Sequence, residues 1–305
     1  MTGTVYLLLY GAGVAWLAPS PLARLTRRGT NPRFGVAAWL TAMAGVVLAW
    51  IAAMIVVVVP LLSGGPTASV VVLCLELLGV PERRATLGSP GAVALLTVAL
   101  AISSVVAFGV ARTVRGLRTS SAEHADAARM VGTPAAAAGV VVVCGERPAA
   151  YCVVGRPHAI VVTTAAVAAL DGPQLDAVLA HENAHIAGRH HQLLMVLRAL
   201  AARLAYVPLF TRGAGAVAEL LEMCADDRAA RRHGPRSLVA GMLALAAPPP
   251  PAGGLAVAAT ATAARAHRLL VPARPSTRWC HRVATSAVIA AMIAAPVVVN
   301  VLCHH

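Results

Sequence analysis

His181, Glu182 and His185 stand in the order HExxH, within His181-Glu182-Asn183-Ala184-His185. Four residues is just over one helical turn, so on a helix the two imidazoles share a face and can grip a single zinc ion. The glutamate between them then lies beside the metal, where it can take a proton from a water molecule. So short a pattern also arises by chance, and the surroundings must carry part of the case. Leu175, Val178, Leu179, Ile186, Leu193 and Leu194 recur at helical spacing around it. Asp171, followed by Pro173 and Gln174, has the form of an N-cap with a capping-box partner at the start of that helix.

Zinc used for catalysis needs a third protein ligand and an open position, and the sequence offers two candidates. Glu222 lies in Glu219-Leu-Leu-Glu222-Met-Cys-Ala-Asp226-Asp227, a stretch that also reads as a helix. Four of the chain's twelve acidic residues fall within these nine positions. Glu222 and Asp226 are four apart and share a face, which suits a ligand plus an acid that orients a ligand imidazole from behind. The plain alternative is a solvated face on which Asp226 or Asp227 pairs with Arg231 or Arg232. The other candidate is His191, since His181-Glu-x-x-His185-x-x-Gly188-x-x-His191 satisfies the longer metzincin pattern. The residues after Gly188 read as continuing helix, which would carry His191 away from the metal and leave His190 and His191 on the helix surface. Glu222 is therefore the expected third ligand.

The elements that position these residues belong to a very apolar chain. Of 305 residues, 58% are hydrophobic and 12% charged, with mean hydropathy +0.75. These values lie well outside the range of a soluble domain. Net charge is +13, and with no lysine present all the basic residues are arginines. Aromatics are only 4%, and the arginines cluster beside apolar runs, so they read as topology determinants and no direct nucleic-acid partner is expected. Four charge-free segments, roughly Thr2–Ala18, Gly35–Leu62, Gly91–Ala111 and Val283–Leu302, are each long enough to cross a bilayer. Ala68–Val80 is too short to cross and contains Glu76, so an interfacial or packed helix is expected there. Arg24, Arg27, Arg28 and Arg33 follow the first span, Arg112, Arg115 and Arg118 the third, and Arg278 and Arg282 precede the fourth. The positive-inside rule then puts the intervening segment in the cytoplasm, where Cys144, Cys152, Cys224 and Cys280 are expected as reduced thiols. The expected organisation is a three-span region over 1–111, a cytoplasmic domain over 112–281, and a fourth span with a short external tail over 282–305.

Within the inner domain, Ser120–Met130 reads as a short polar helix or linker. Val140–Cys144, Tyr151–Val154 and Ala159–Thr164 are β-branched runs parted by turn residues, which predicts a small sheet. Ala159–Thr164, just before the motif helix, is expected to be the edge strand that pairs with a substrate backbone. Leu193–Leu209, apolar but holding Arg198 and Arg203, continues the motif helix along the membrane surface. Pro248–Pro251 with Gly253-Gly254 is a loop, and Ala261–Leu270 a closing amphipathic helix.

With these residues in place the chain resembles the integral-membrane zinc metallopeptidases of the BlaR/MecR antirepressor type. The likeness rests on Leu179-Ala180-His181-Glu182-x-x-His185, on Gly188-Arg189-His190-His191, on Glu222-x-x-x-Asp226, and on three spans before and one after. It implies a predominantly α membrane protein with four transmembrane helices and a cytoplasmic α+β zincin-like (gluzincin) domain between the third and fourth. It also implies one zinc ion per chain, held by His181, His185 and Glu222, with Glu182 as base and Asp226 behind a ligand. The implied setting is the membrane of a bacterial cell, and the implied substrate a cytoplasmic protein such as a winged-helix repressor, or the chain itself. The best-known members carry an external penicillin-binding domain acylated at a lysine-activated serine; without lysine, that chemistry is not expected of this polypeptide.

The expected reaction is hydrolysis of a peptide bond, with Glu182 taking a proton from water and returning it to the leaving amine. His233, Arg232 or Arg228 is the expected further donor to the oxyanion. Other readings are a quality-control peptidase of the HtpX type, a CAAX-type prenyl protease (for which the spans are few), and a zinc-binding scaffold, which has no need of Glu182. A transporter is disfavoured because the spans hold no ionisable relay.

Overall fold

The computed structural model describes residues 2–63, 90–135, 137–155, 157–246 and 255–303. The expectations for Ala68–Val80 and for the Pro248–Gly254 loop fall outside the described residues. The first three helices are α1 (Thr2–Leu17), α2 (Pro19–Thr26) and α3 (Pro32–Ser63). A 42-residue helix, α4 (Pro90–Val131), leads to four strands, β1 (Thr133–Pro134), β2 (Val140–Val143), β3 (Ala150–Val153) and β4 (Ala159–Thr163). Then come α5 (Thr164–Ala169), α6 (Gly172–Ala187), α7 (His190–Arg203), α8 (Pro208–His233), α9 (Pro235–Leu245), α10 (Leu255–Leu270) and α11 (Pro275–Cys303).

Among the described residues, two helices are long and apolar enough to cross a membrane, Pro32–Val56 and Leu96–Val131. The count rises to three if α1 and α2, bent by 48° at their junction, form one span. The fourth expected span lies within α11, a single helix carrying Pro296 in its interior. α4 departs from expectation. Ser120–Met130 is neither a linker nor a separate helix but the end of the third apolar helix, which runs unbroken past residue 111. Nothing between Gly91 and Met130 breaks it: there is no proline, and alanine and arginine support helix through the polar half.

The sheet has the order β1-β2-β4-β3, with β2 and β4 parallel and the other pairs antiparallel. β4 is central and buried along its whole length, so it is not the edge strand expected of Ala159–Thr164. Its residues, Ala-Ile-Val-Val-Thr, alternate too little for a half-exposed edge, and such continuous apolar runs belong inside a sheet. The edge nearest the motif helix is β3, where Tyr151 is exposed and Cys152 buried. Thr163 ends the strand and starts the next helix, its hydroxyl accepting from Ala166 N at 3.2 Å. The expected capping box opens α6: Asp171 Oδ1 accepts from Gln174 N at 2.8 Å, and Gln174 Oε1 accepts from Asp171 N at 3.3 Å. Val178 on α6 packs into the cluster of Val140, Cys152, Ile160 and Val162, which fixes the motif helix against the sheet.

A larger buried cluster joins the membrane helices to the domain. Leu22, Ala38, Trp39 and Met43 of α2 and α3 pack on Leu209, Phe210, Val217, Leu220 and Leu221 of α8. Trp39 is fully buried and donates its indole N–H to Thr26 Oγ1 at 3.1 Å. Gly213 lets the two helices meet, since a Cβ there would lie 2.9 Å from Trp39 Cε3. Gly213→Val is expected to overpack this seam and destabilise the protein by about 1–3 kcal/mol, read as a lowered unfolding midpoint of the detergent-solubilised chain. An unchanged midpoint would mean that α3 and α8 do not meet there.

Candidate metal centre

α6 and α8 cross so that their chemical residues face one another. His181 Nε2 and His185 Nε2 are 3.1 Å apart. Glu222 places Oε2 3.5 Å from His181 Nε2 and Oε1 3.5 Å from His185 Nε2. Zinc with tetrahedral bonds of about 2.0–2.1 Å has ligand atoms about 3.3–3.4 Å apart, and the three side chains lie near this spacing, the two Glu222 contacts being made by its two different oxygens. Among the described residues they are the group of histidine, cysteine or carboxylate side chains that could hold a metal.

Each ligand imidazole meets a partner at its other nitrogen. Asp226 Oδ1 lies 3.2 Å from His181 Nδ1, a close charge contact that is out of line for a hydrogen bond. His190 Nδ1 lies 3.0 Å from His185 Nδ1. Such partners fix the tautomer and orientation of a ligand histidine. His190 corrects the expectation of a helix running straight through. α6 ends at Ala187, Arg189 turns the chain in the left-handed region at φ 52°, and α7 starts at His190. His190 is buried rather than on the helix surface, and a Cβ on Gly188 would strike its ring. His191 stays outside the ligand group and brings Nε2 to 3.0 Å from Cys152 Sγ. Leu193–Leu209 likewise falls on two helices, α7 and α8, with a break that exposes Tyr206.

Asp226 is fully buried, and its charge is met by Arg265 of α10, with Nη2 to Oδ1 at 2.6 Å and Nε to Oδ2 at 2.8 Å. Arg265 Nη1 also lies 3.1 Å from Glu222 Oε2. Asp227 pairs with Arg268 at 2.8 Å. Glu222, Asp226 and Asp227 of α8 thus pair with arginines of α10, not with Arg231 or Arg232. The sequence signal was available, since Arg265 and Arg268 share one face of the closing helix, but nothing in it says which acids that face meets.

Protonation follows from this arrangement. Burial opposes ionisation of Asp226, but the two hydrogen bonds from Arg265 and the close contact with His181 outweigh it and hold the carboxyl down at about 2. Glu222 is likewise held at about 2 against burial, by His181 and Arg265. Burial disfavours the charged form of His181, yet Asp226 and Glu222 raise it to about 9. Burial lowers His185 to about 4, helped by the neighbouring His181 and opposed by Glu222. Glu182 is raised, chiefly by burial, although His181 and Cys152 pull the other way. It accepts a hydrogen bond from Cys152 N at 2.9 Å, which ties it to the outer side of β3.

The centre opens onto a cleft of about 640 Å³ lined by Leu117, Ser120, Ser121, His124, Tyr151, Cys152, His191 and Arg198, with His181, Glu182, His185 and Glu222 at its base. His233, Arg232 and Arg228 do not line it. They lie on α8 beyond Asp226, with Arg232 and His233 in its last turn. Of the histidines that do line it, His124 lies 3.3 Å from Tyr151 Oη.

Residues 115–246 match the family model of Peptidase family M48. That stretch is less than half of the chain and runs from α4 to the end of α9, taking in the motif helix and Glu222. Comparison with curated proteins and with solved structures finds no match in either. The family match supports a zinc metallopeptidase with membrane helices and does not single out the BlaR/MecR type.

Two outcomes test the centre. At pH 7.5 metal-free His181 carries a proton, whereas His185 is neutral and Glu222 ionised, so loading zinc is expected to release about one proton. Apparent zinc affinity should then rise about tenfold per pH unit and level off near pH 9. Binding heats compared across buffers of different ionisation enthalpy measure this; zero release would contradict the protonated His181. Arg265→Gln takes from buried Asp226 both of its hydrogen bonds, leaving His181 at 3.2 Å and Arg268 at 3.9 Å, and is expected to cost about 2–4 kcal/mol of stability. A change well under 1 kcal/mol on chemical unfolding would mean that the pair is open to solvent.

Proposed function

We propose that this chain is a membrane-embedded zinc endopeptidase that cleaves protein substrates entering along β3. The observation that carries the reading is the triangle of His181, His185 and Glu222 donor atoms, spaced for zinc at the base of a cleft, with Glu182 beside it. When bound, zinc supplies Lewis acidity, which acidifies water and polarises a carbonyl. Glu182, its carboxyl raised by burial, is suited to take a proton from the attacking water and deliver it to the leaving amine. Asp226 and His190 keep the ligand imidazoles in register, and Arg265 orients Glu222. An extended substrate segment would pair with the outer edge of β3, where the Cys152 N–H points toward Glu182. His191 and Tyr151, which line the same cleft, are the donors we assign to a developing oxyanion.

In the finer reading, the domain faces the cytoplasm of a bacterial cell and acts in signal transduction, on a repressor or on the chain itself. The arginines that flank the apolar segments support that orientation, and the BlaR/MecR resemblance supports that substrate. A second reading, quality control of membrane proteins, draws support from β3 itself: an edge that pairs through the backbone accepts many sequences.

Glu182→Gln is expected to keep its zinc and lose about 10²–10⁴-fold in peptide cleavage. Glu222→Ala should lose the metal, while His191→Ala should retain it. Metal analysis and cleavage of a quenched peptide give both readouts. Cleavage at wild-type rate by Glu182→Gln would end the catalytic role given to that residue. Proteins captured by cross-linking on Glu182→Gln separate the two readings: one repressor supports signalling, and many damaged membrane proteins support quality control.

A further inference from the structure

Away from the metal centre, arginines from four separate parts of the chain converge on one cleft of about 860 Å³. Arg27 and Arg28 come from the turn between α2 and α3, Arg33 from the start of α3, Arg231 from α8, Arg268 from α10 and Arg278 from α11. Arg268 is already committed: it pairs with Asp227 at 2.8 Å and donates to Met223 O at 3.1 Å and to Gly29 O at 3.4 Å. Asp227, the sole acid lining the cleft among the described residues, is thereby neutralised. The other five arginines make no ion pair among the described residues, and all five are exposed. Topology alone accounts for arginines beside each apolar span. It gives no reason for arginines some 250 residues apart in sequence to face one concave space, where they repel one another.

We propose that this cleft binds a phosphate-bearing anion, and its position identifies that anion as the headgroup of an acidic phospholipid. Pro32, on the cleft wall, begins a helix apolar and long enough to cross a membrane, and α11 turns apolar a few residues beyond Arg278. Phe34, Met223 and Val271 give the same cleft apolar surface for the glycerol and upper acyl carbons. Guanidinium groups suit a phosphate diester because each offers paired N–H donors in one plane. Basic pockets between membrane helices hold such headgroups in general. A bound headgroup would tie α2, α3, α8, α10 and α11 together at the level where membrane helices meet the domain. Met223, on the wall, is the residue after Glu222.

The test uses full-length protein in a neutral detergent, titrated with short-chain phosphatidylglycerol, short-chain phosphatidylcholine or inorganic phosphate, with the thermal unfolding midpoint as readout. Phosphatidylglycerol is expected to raise the midpoint and phosphatidylcholine to leave it unchanged. Each neutralised arginine should weaken the response about fivefold, so Arg28→Gln with Arg278→Gln needs about thirtyfold more lipid. A control pair outside the cleft, Arg24→Gln with Arg115→Gln, should behave as wild type. If inorganic phosphate alone gives the full shift with the same loss in the cleft variant, the anion site stands and its ligand is soluble. If the cleft variant and wild type respond alike, or if the control pair loses as much, the site is refuted. Arg28→Gln alone, at an exposed side chain with no ion pair, carries the same comparison should the double variant fail to fold.

Discussion

One buried carboxylate governs the geometry of the candidate metal centre. Asp226 sits at zero exposure, and a charge so placed is tolerable only with its partners in position. Arg265 meets it from α10 with two hydrogen bonds, and His181 faces it from α6. Three helices are therefore held at one point. The fixed point lies one turn from Glu222 and at the back of a ligand imidazole. Move any of the three helices, and the triangle of donor atoms opens.

Packing supplies what charge does not. Trp39, Leu209, Phe210 and Leu220 lock α8 onto α3, while Val178 and Ile160 lock α6 onto the sheet. The ligands thus come from two rigid bodies, one anchored to a membrane helix and one to β-structure. Where they meet, an apolar patch of Ala177, Ala229 and Leu238 adjoins the polar face that carries the chemistry. This division explains why so many ionisable groups survive in so apolar a chain: they are gathered where they satisfy each other.

Much of the centre was legible in the sequence because helical spacing is a strong local signal. His181 with His185, and Glu222 with Asp226, each declare a shared face, and Asp171 with Gln174 declares where the motif helix begins. What stayed hidden depended on contacts across long separations. The central place of β4 follows from the pairing order of strands, which Ala159–Thr163 alone does not encode. The turn at Gly188-Arg189 needed a left-handed arginine, a conformation with no local signature, and it decided that His190 would be buried behind His185. The pairing of Arg265 with Asp226 spans 39 positions. Spacing told which residues share a helix face, and only the fold told which faces meet.

The long helix α4 has a mechanical consequence. Its apolar half is of a length to sit in the bilayer, and its far half supplies Leu117, Ser120, Ser121 and His124 to one wall of the cleft. No hinge intervenes between the two. From Ala111 to His124 is about 20 Å along the axis, so leaning the buried half by about 10° sweeps that wall sideways by about 3 Å. Any lean of the apolar half is in this way carried, without loss, to one wall of the cleft.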